Sequence, residues 1–401
     1  MPEGPGTRYC RVHMRTLYVR MNQMIHPQSP SPHSGFGGLG IAPAILTTLA
    51  RMKFSLPTPI QQQSIPIALE GKDLIGIAQT GTGKTLAFGI PMIQRLLAAG
   101  EGNGLIVVPT RELALQVEES IRIIGAPMGI RMAVFIGGAS MHLQKQMIKA
   151  RPHILVATPG RLLDHLQQRT ISLARVRILV LDEADRMLDM GFLPQIKRIL
   201  AAVPRERQTM LFSATMPRAI VEIANATMKL PVRVEIAPSG TAPSRVVQEV
   251  FMVHRDEKMS MLAEVLGTYR GSVLIFTRTK YGAKKLTRSL RALGHSAAEI
   301  HSNRSLAQRR DALEGFKRGK YRVLVATDIA ARGIDVTGIE LVVNFDLPQN
   351  AEDYVHRIGR TGRAGREGHA ISFVMPEQQR DLKDIERLIR KTLPVSRRRL
   401  R

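Results

Sequence analysis

Short runs of β-branched and aliphatic residues recur along the chain, separated by longer stretches with helical spacing. Between Phe36 and about Ala237 the clearest runs are Leu105-Ile106-Val107-Val108, Ile154-Leu155-Val156-Ala157 and Ile178-Leu179-Val180-Leu181. Apolar runs without alternation predict strands buried on both faces, as in parallel sheets covered by helices. The pattern breaks at Ala237-Pro238-Ser239-Gly240-Thr241-Ala242-Pro243-Ser244, where prolines and a glycine among small residues read as a linker. It resumes with Ser272-Val273-Leu274-Ile275-Phe276, Arg322-Val323-Leu324-Val325-Ala326 and Leu341-Val342-Val343-Asn344-Phe345. The predicted fold class is α/β: two tandem lobes over 36–237 and 246–391, each a largely parallel sheet flanked by helices, joined by a linker over 238–245. Leu382, Ile385, Leu388 and Ile389 fall on one stripe of a closing helix, and a basic tail follows over 392–401.

Composition narrows the partner. The 401 residues include 58 Lys and Arg against 33 Asp and Glu, a formal charge of +25. The first lobe carries 23 basic against 14 acidic residues and the rest of the chain from 238 onward 31 against 18, so a polyanion track shared by both lobes is expected. Cys10 is the only cysteine, which excludes an intrachain disulfide, a Cys-based zinc site and an iron–sulfur cluster and fits a reducing, cytoplasmic setting. No run approaches the ~18 apolar residues of a spanning helix, so no membrane partner is expected. The leader, 1–35, has Arg8, Arg11, Arg15 and Arg20 against Glu3 and ends Pro/Ser-rich. That composition resembles a transit peptide, but no amphipathic pattern accompanies it, and Met14, Met21 and Met24 offer alternative starts; a disordered or misassigned start is expected.

The chemistry begins at Ala78-Gln79-Thr80-Gly81-Thr82-Gly83-Lys84-Thr85, between a strand-like run and a helical one. That is the setting of a phosphate-binding (Walker A) loop, in which glycines bring backbone N–H groups to phosphates, Lys84 reaches the β/γ-phosphates and Thr85 holds Mg²⁺. Ala78 stands where the general pattern has glycine. Asp182-Glu183-Ala184-Asp185 follows the strand ending at Leu181, where open α/β sheets deliver catalytic groups. Asp182 is placed on Mg²⁺ and Glu183 on the attacking water, so ATP and Mg²⁺ are the expected cofactors and Lys84, Asp182, Glu183 catalytic.

These residues resemble the DEAD-box ATP-dependent RNA helicases of superfamily 2, close to the bacterial RhlE-like group, and the resemblance runs from Phe36 to about Pro376. It implies two RecA-like lobes that close on ATP and RNA to pry a short duplex apart. Pro57-Thr58-Pro59-Ile60-Gln61 looks like the adenine-reading Q motif, implying nucleotide contacts by Gln61, Phe54 and Phe36 alongside Thr80, Gly81, Thr82, Gly83, Lys84 and Thr85. Pro109-Thr110-Arg111-Glu112-Leu113-Ala114, Gly137-Gly138 and Thr158-Pro159-Gly160-Arg161 look like first-lobe RNA motifs, implying RNA contacts by Thr110, Arg111, Gly138, Thr158 and Arg161. Ser213-Ala214-Thr215 resembles the motif coupling hydrolysis to strand separation, with Ser213, Thr215, Asp185 and His356 as coupling residues.

In the second lobe, Tyr354-Val355-His356-Arg357-Ile358-Gly359-Arg360-Thr361-Gly362-Arg363 matches the arginine-finger motif, which makes Arg360 and Arg363 catalytic from across the cleft. Ala326-Thr327-Asp328-Ile329-Ala330-Ala331-Arg332-Gly333-Ile334-Asp335 looks like motif V, with Asp335 on the ribose and Thr327 and Arg332 on RNA. Arg278 is a candidate phosphate contact in motif IV. The chain departs from the family at Ser302 and Leu306, where Gly and Gln are usual, and at Lys53, where Gly is; Arg309 fits. Loss of the Gln weakens RNA binding or closure, or Gln308 serves by a local shift. The expected function is that of a monomeric ATP-dependent RNA helicase or ribonucleoprotein remodeller with little sequence specificity. A weak RNA-binding clamp and a DNA-stimulated ATPase are the alternatives.

Overall fold

The computed structural model describes residues 35–79, 81–236, 246–331, 336, 338–362 and 367–396. Residues 1–34 of the leader, the linker, Thr80, Arg332, Asp335, Arg363 and the last five residues of the tail lie outside them. Among the described residues the first lobe holds seven strands: β1 (Leu74–Ile77), β2 (Asn103–Val107), β3 (Met132–Phe135), β4 (Ile154–Ala157), β5 (Val176–Leu181), β6 (Gln208–Ser213) and β7 (Val232–Glu235). They pair in the order β3-β4-β2-β5-β6-β1-β7, parallel throughout. The second lobe holds six: β8 (Val246–Met252), β9 (Val273–Phe276), β10 (Ala297–Ile300), β11 (Val323–Ala326), β12 (Leu341–Asn344) and β13 (Gly368–Val374). Their order is β10-β11-β9-β12-β13-β8, again parallel.

The unbroken apolar runs have the cause the pattern implies. Ile106 enters the core on one face of the first sheet while Leu105 and Val107 enter the core on the other. In β9, Val273 and Ile275 face one core and Leu274 and Phe276 the opposite one. Each such side chain, removed from water by a covering helix, contributes about 1.5–3 kcal/mol. Packing leaves no room at Gly76, where a Cβ would meet the Phe212 ring at 2.5 Å.

The second lobe continues past its last helix, Gln379–Ile389. Leu393 is buried, and the Val250 N–H donates to Pro394 O (3.0 Å) while the Ser396 N–H donates to Val250 O (2.8 Å), so the first residues of the expected tail add to the β8 edge. The lobes touch through Arg309 Nη2 and Glu112 Oε2, 2.8 Å apart with both side chains largely buried. Leu306, one turn before Arg309 on the helix Leu306–Lys317, packs against the first lobe's core.

Candidate functional site

Both sheets deliver their chemistry at the carboxyl ends of the strands, and in each the strand order sorts it into two halves. In the first lobe the phosphate loop follows β1, the Asp182 to Asp185 run follows β5, and Ser213 ends β6. These three strands are neighbours, β5-β6-β1. The loop turns through Gly81 and Gly83 at φ 84° and 90°, which only glycine adopts without strain, and the helix Lys84–Ala99 starts directly behind it. Lys84 is buried and its Nζ donates to Ala78 O (2.8 Å), so the cation is stored within the loop it serves. Thr82 Oγ1 donates to Gln79 O (2.8 Å). Gln61 ties the preceding segment on: its Oε1 accepts from Thr58 N (2.9 Å) and its Nε2 donates to Gly83 O (3.0 Å). Phe54 is 42% exposed, with its ring open to a ligand. Phe36 is not. It is 4% exposed inside the first core beside Leu39 and Ile45, so its expected nucleotide contact is corrected to a packing role.

Asp182 is 3% exposed and its Oδ1 accepts from Glu183 N (2.9 Å). Burial pushes its carboxyl up to about 7, against the pull of Lys84 and with the push of Glu183. A carboxylate so costly to ionise beside a stored lysine and Thr85 fits a site that takes a cation along with a phosphate. Among the described residues no cluster of three or more His, Cys, Asp or Glu side chains could bind a metal alone, so phosphate oxygens would complete the shell. Glu183 lies at φ 52°, a left-handed conformation rare outside glycine, and its carboxylate stands 3.4 Å from Arg186 Nη1. Asp185 accepts from Ala214 N (3.1 Å), Thr215 N (2.8 Å) and Thr215 Oγ1 (3.0 Å), while its own N–H donates to Ser213 Oγ (3.1 Å). Asp185, Ser213 and Thr215 are thus joined by hydrogen bonds within the first lobe.

From the second lobe, the helix Ala351–Ile358 and the turn after it bring His356 and buried Arg360 into a small cavity with Arg186 of the first lobe. The intervening Arg357, to which sequence reasoning gave no role, is 2% exposed and fully employed. It donates through Nε and Nη2 to both Asp328 oxygens (2.5 and 2.7 Å) and through Nη1 to Asn344 Oδ1 (3.1 Å), and lies over the Phe276 ring. This fork fixes the helix, and with it the positions of His356 and Arg360. The signal for it is weak, because nothing local in the sequence pairs Arg357 with Asp328.

The remaining expected residues sit on the other half of each sheet, after β2, β3 and β4 and after β9, β10 and β11. Thr110 caps the helix Arg111–Gly125 by accepting from Leu113 N (3.3 Å), and Thr158 Oγ1 donates to Phe135 O (3.4 Å). Both hydroxyls are buried and spent on the protein, so these threonines set the strand ends and leave contact to their neighbours. Arg111 lies against Gly137 and Gly138, and Arg161 Nη1 donates to Ala139 O (3.0 Å). Arg278 is exposed, with its backbone N–H on Asp346 Oδ2 (3.0 Å), and the Thr327 N–H donates to Ile300 O (3.3 Å). Gln308 forms a capping box with Ser305, its N–H donating to Ser305 Oγ (3.2 Å) and its Oε1 accepting from Ser305 N (3.1 Å). It therefore does not take the place of the missing Gln at 306.

The DEAD/DEAH box helicase family model matches residues 58–223, and the helicase conserved C-terminal domain matches 257–365. The chain is 42% identical over 374 residues to the ATP-dependent rRNA helicase RRP3 of Debaryomyces hansenii, covering 92% of this chain and 78% of that protein. It is 45% identical over 360 residues to the ATP-dependent RNA helicase CshA of Listeria monocytogenes, covering 89% and 69%. Among solved structures it resembles S. cerevisiae Dbp5 bound to RNA and ADP BeF3, with TM-score 0.82, 32% identity, and 90% and 95% of the two chains covered.

Proposed function

The chain belongs to the DEAD-box ATP-dependent RNA helicases, and from that premise we propose how its residues divide the work. It is an RNA-stimulated ATPase that couples ATP binding and hydrolysis to local RNA duplex unwinding. Gln61 and Phe54 take the adenine, the loop amides from Gly81 to Lys84 take the phosphates, and Lys84 leaves Ala78 O to meet them. Thr85 and Asp182 would hold Mg²⁺, which shields phosphate charge when bound. Glu183 accepts a proton as water attacks the γ-phosphorus and the bond to the β-phosphate oxygen breaks, giving ADP and phosphate. Arg360, with Arg363, meets the charge that develops on the γ-phosphate.

Arg111, Gly138, Arg161, Arg278, Thr327 and Arg332 hold the RNA backbone, with backbone amides at the helix starts behind Thr110 and Thr158. Such contacts orient a strand without reading bases, so little sequence preference is expected. Asp185, Ser213, Thr215 and His356 carry closure between the two halves. The setting is cytoplasmic, and no described helix is long and apolar enough to cross a membrane. The observation that carries this reading is the cavity where Arg360 meets Arg186, itself paired to Glu183: the hydrolytic set is complete only with both lobes in place. ATP-driven release of a short strand from an RNA duplex tests it. Repeated rounds of release that stop with Glu183→Gln are expected, and release that proceeds without ATP, or over many rounds at the unaltered rate with the substituted chain, would overturn it.

A further inference from the structure

The helix Lys280–Ala292 in the second lobe has a solvent face that the helicase site leaves unused. Its sequence, KYGAKKLTRSLRA, carries five basic residues and no acidic one. Ala283, Leu286, Thr287 and Leu290 are buried against the sheet, while Tyr281, Lys284, Lys285 and Arg288 point outward at helical spacing. No carboxylate among the described residues pairs with Lys284, Lys285 or Arg288. A row of three unneutralised cations within about 6 Å of helix repels itself and is relieved by a polyanion.

The row begins where RNA is already placed. Its first turn follows Arg278 at the end of β9, and Lys280 Nζ donates to Asn303 Oδ1 (3.0 Å) in the loop after β10. Tyr281 is 71% exposed with the Lys280 ammonium 5.3 Å from its ring centre. A ring that far out of the protein buries nothing in the fold and presents a flat face beside a cation, the pairing that single-stranded bases stack on.

We propose that this face is a second RNA contact surface, which grips the single-stranded flank leaving the cleft: Lys284, Lys285 and Arg288 on its phosphates, Tyr281 under one base. The proposal rests on the reading that Arg278 and the strand ends of β9 to β11 take RNA. The flank adds affinity by tethering, and chemistry in the cleft proceeds without it.

The test compares single-stranded RNA of about six nucleotides, enough for the cleft, with RNA of about twenty, enough to reach the helix. The Lys284→Ala, Lys285→Ala, Arg288→Ala triple variant should bind the long RNA about tenfold more weakly at low salt. Its slope of log affinity against log salt should be shallower by about 2, because three fewer phosphates release counterions. Stimulation of ATP hydrolysis by the short RNA should be unchanged. Tyr281→Ala should weaken long-RNA binding about fivefold with the salt slope intact, since stacking releases no counterion. Equal affinity and slope for the variant and the unaltered chain on the long RNA would overturn the proposal, as would an equal loss on the short RNA. An unaltered chain that ignores both RNAs would instead remove the helicase reading on which the proposal stands.

Discussion

The two lobes share one architecture and supply opposite chemistry. In the first, the acids and hydroxyls at the strand ends are held by the lobe's own groups: Asp185 by three donors, with Lys84 beside them on Ala78 O. In the second, the same sheet edge supplies cations, and the buried Arg357 fork onto Asp328 holds Arg360 toward the first lobe. Neither lobe is a catalyst alone. A site split by charge lets substrate charge draw the halves together, so hydrolysis becomes conditional on closure.

Breaking the second lobe's half should have the largest effect. Arg360→Ala should lower kcat for ATP about 10³-fold while ATP affinity measured without RNA stays within about threefold. Equal loss of both would make Arg360 a structural residue. Breaking the first lobe's half comes next: Glu183→Gln should lower turnover about 10²-fold and accumulate a complex with ATP and RNA. The join itself is tested by Arg309→Ala, which leaves the Glu112 carboxylate buried without its guanidinium. Removing one member of a buried pair costs about 3 kcal/mol, so RNA-stimulated turnover should fall about 10²-fold or less, with basal hydrolysis unchanged. A basal rate that falls in step would place Arg309 in a lobe's stability instead of in closure.

The smallest effect is on pH. Because the fold raises the Asp182 pKa to about 7, the folded chain holds this proton more tightly than the unfolded one. The ligand-free protein is therefore favoured at low pH and loses that contribution as pH rises from the ordinary carboxylate range through about 7. Asp182→Asn should flatten the thermal stability profile over that window. In the unaltered chain, Mg²⁺-dependent nucleotide binding should tighten about fivefold from pH 6 to pH 7, about twofold more by pH 8, and level off above. A profile without pH dependence would mean that Asp182 is already ionised.

How much of this the sequence shows follows from locality. The phosphate loop, the Asp182 to Asp185 run and Ser213 to Thr215 are contiguous, and the strand ending at each is a visible apolar run, so position and chemistry are read together. Gln308, offered from the sequence as a substitute for the missing Gln at 306, instead closes a capping box with Ser305. Phe36 was misread because an aromatic upstream of Gln61 looks the same whether it faces a ligand or a core. Arg357 with Asp328, Arg309 with Glu112 and Leu306 on the opposite lobe were hidden, because each joins segments distant in sequence.

The central claim is conditional hydrolysis, and it is tested most directly by ATP turnover of the purified chain at fixed low salt under three conditions: no nucleic acid, single-stranded RNA, and DNA of matching sequence. The account predicts a low basal rate, strong stimulation by RNA and little by DNA. Equal stimulation by both, or a full rate with neither, would contradict it.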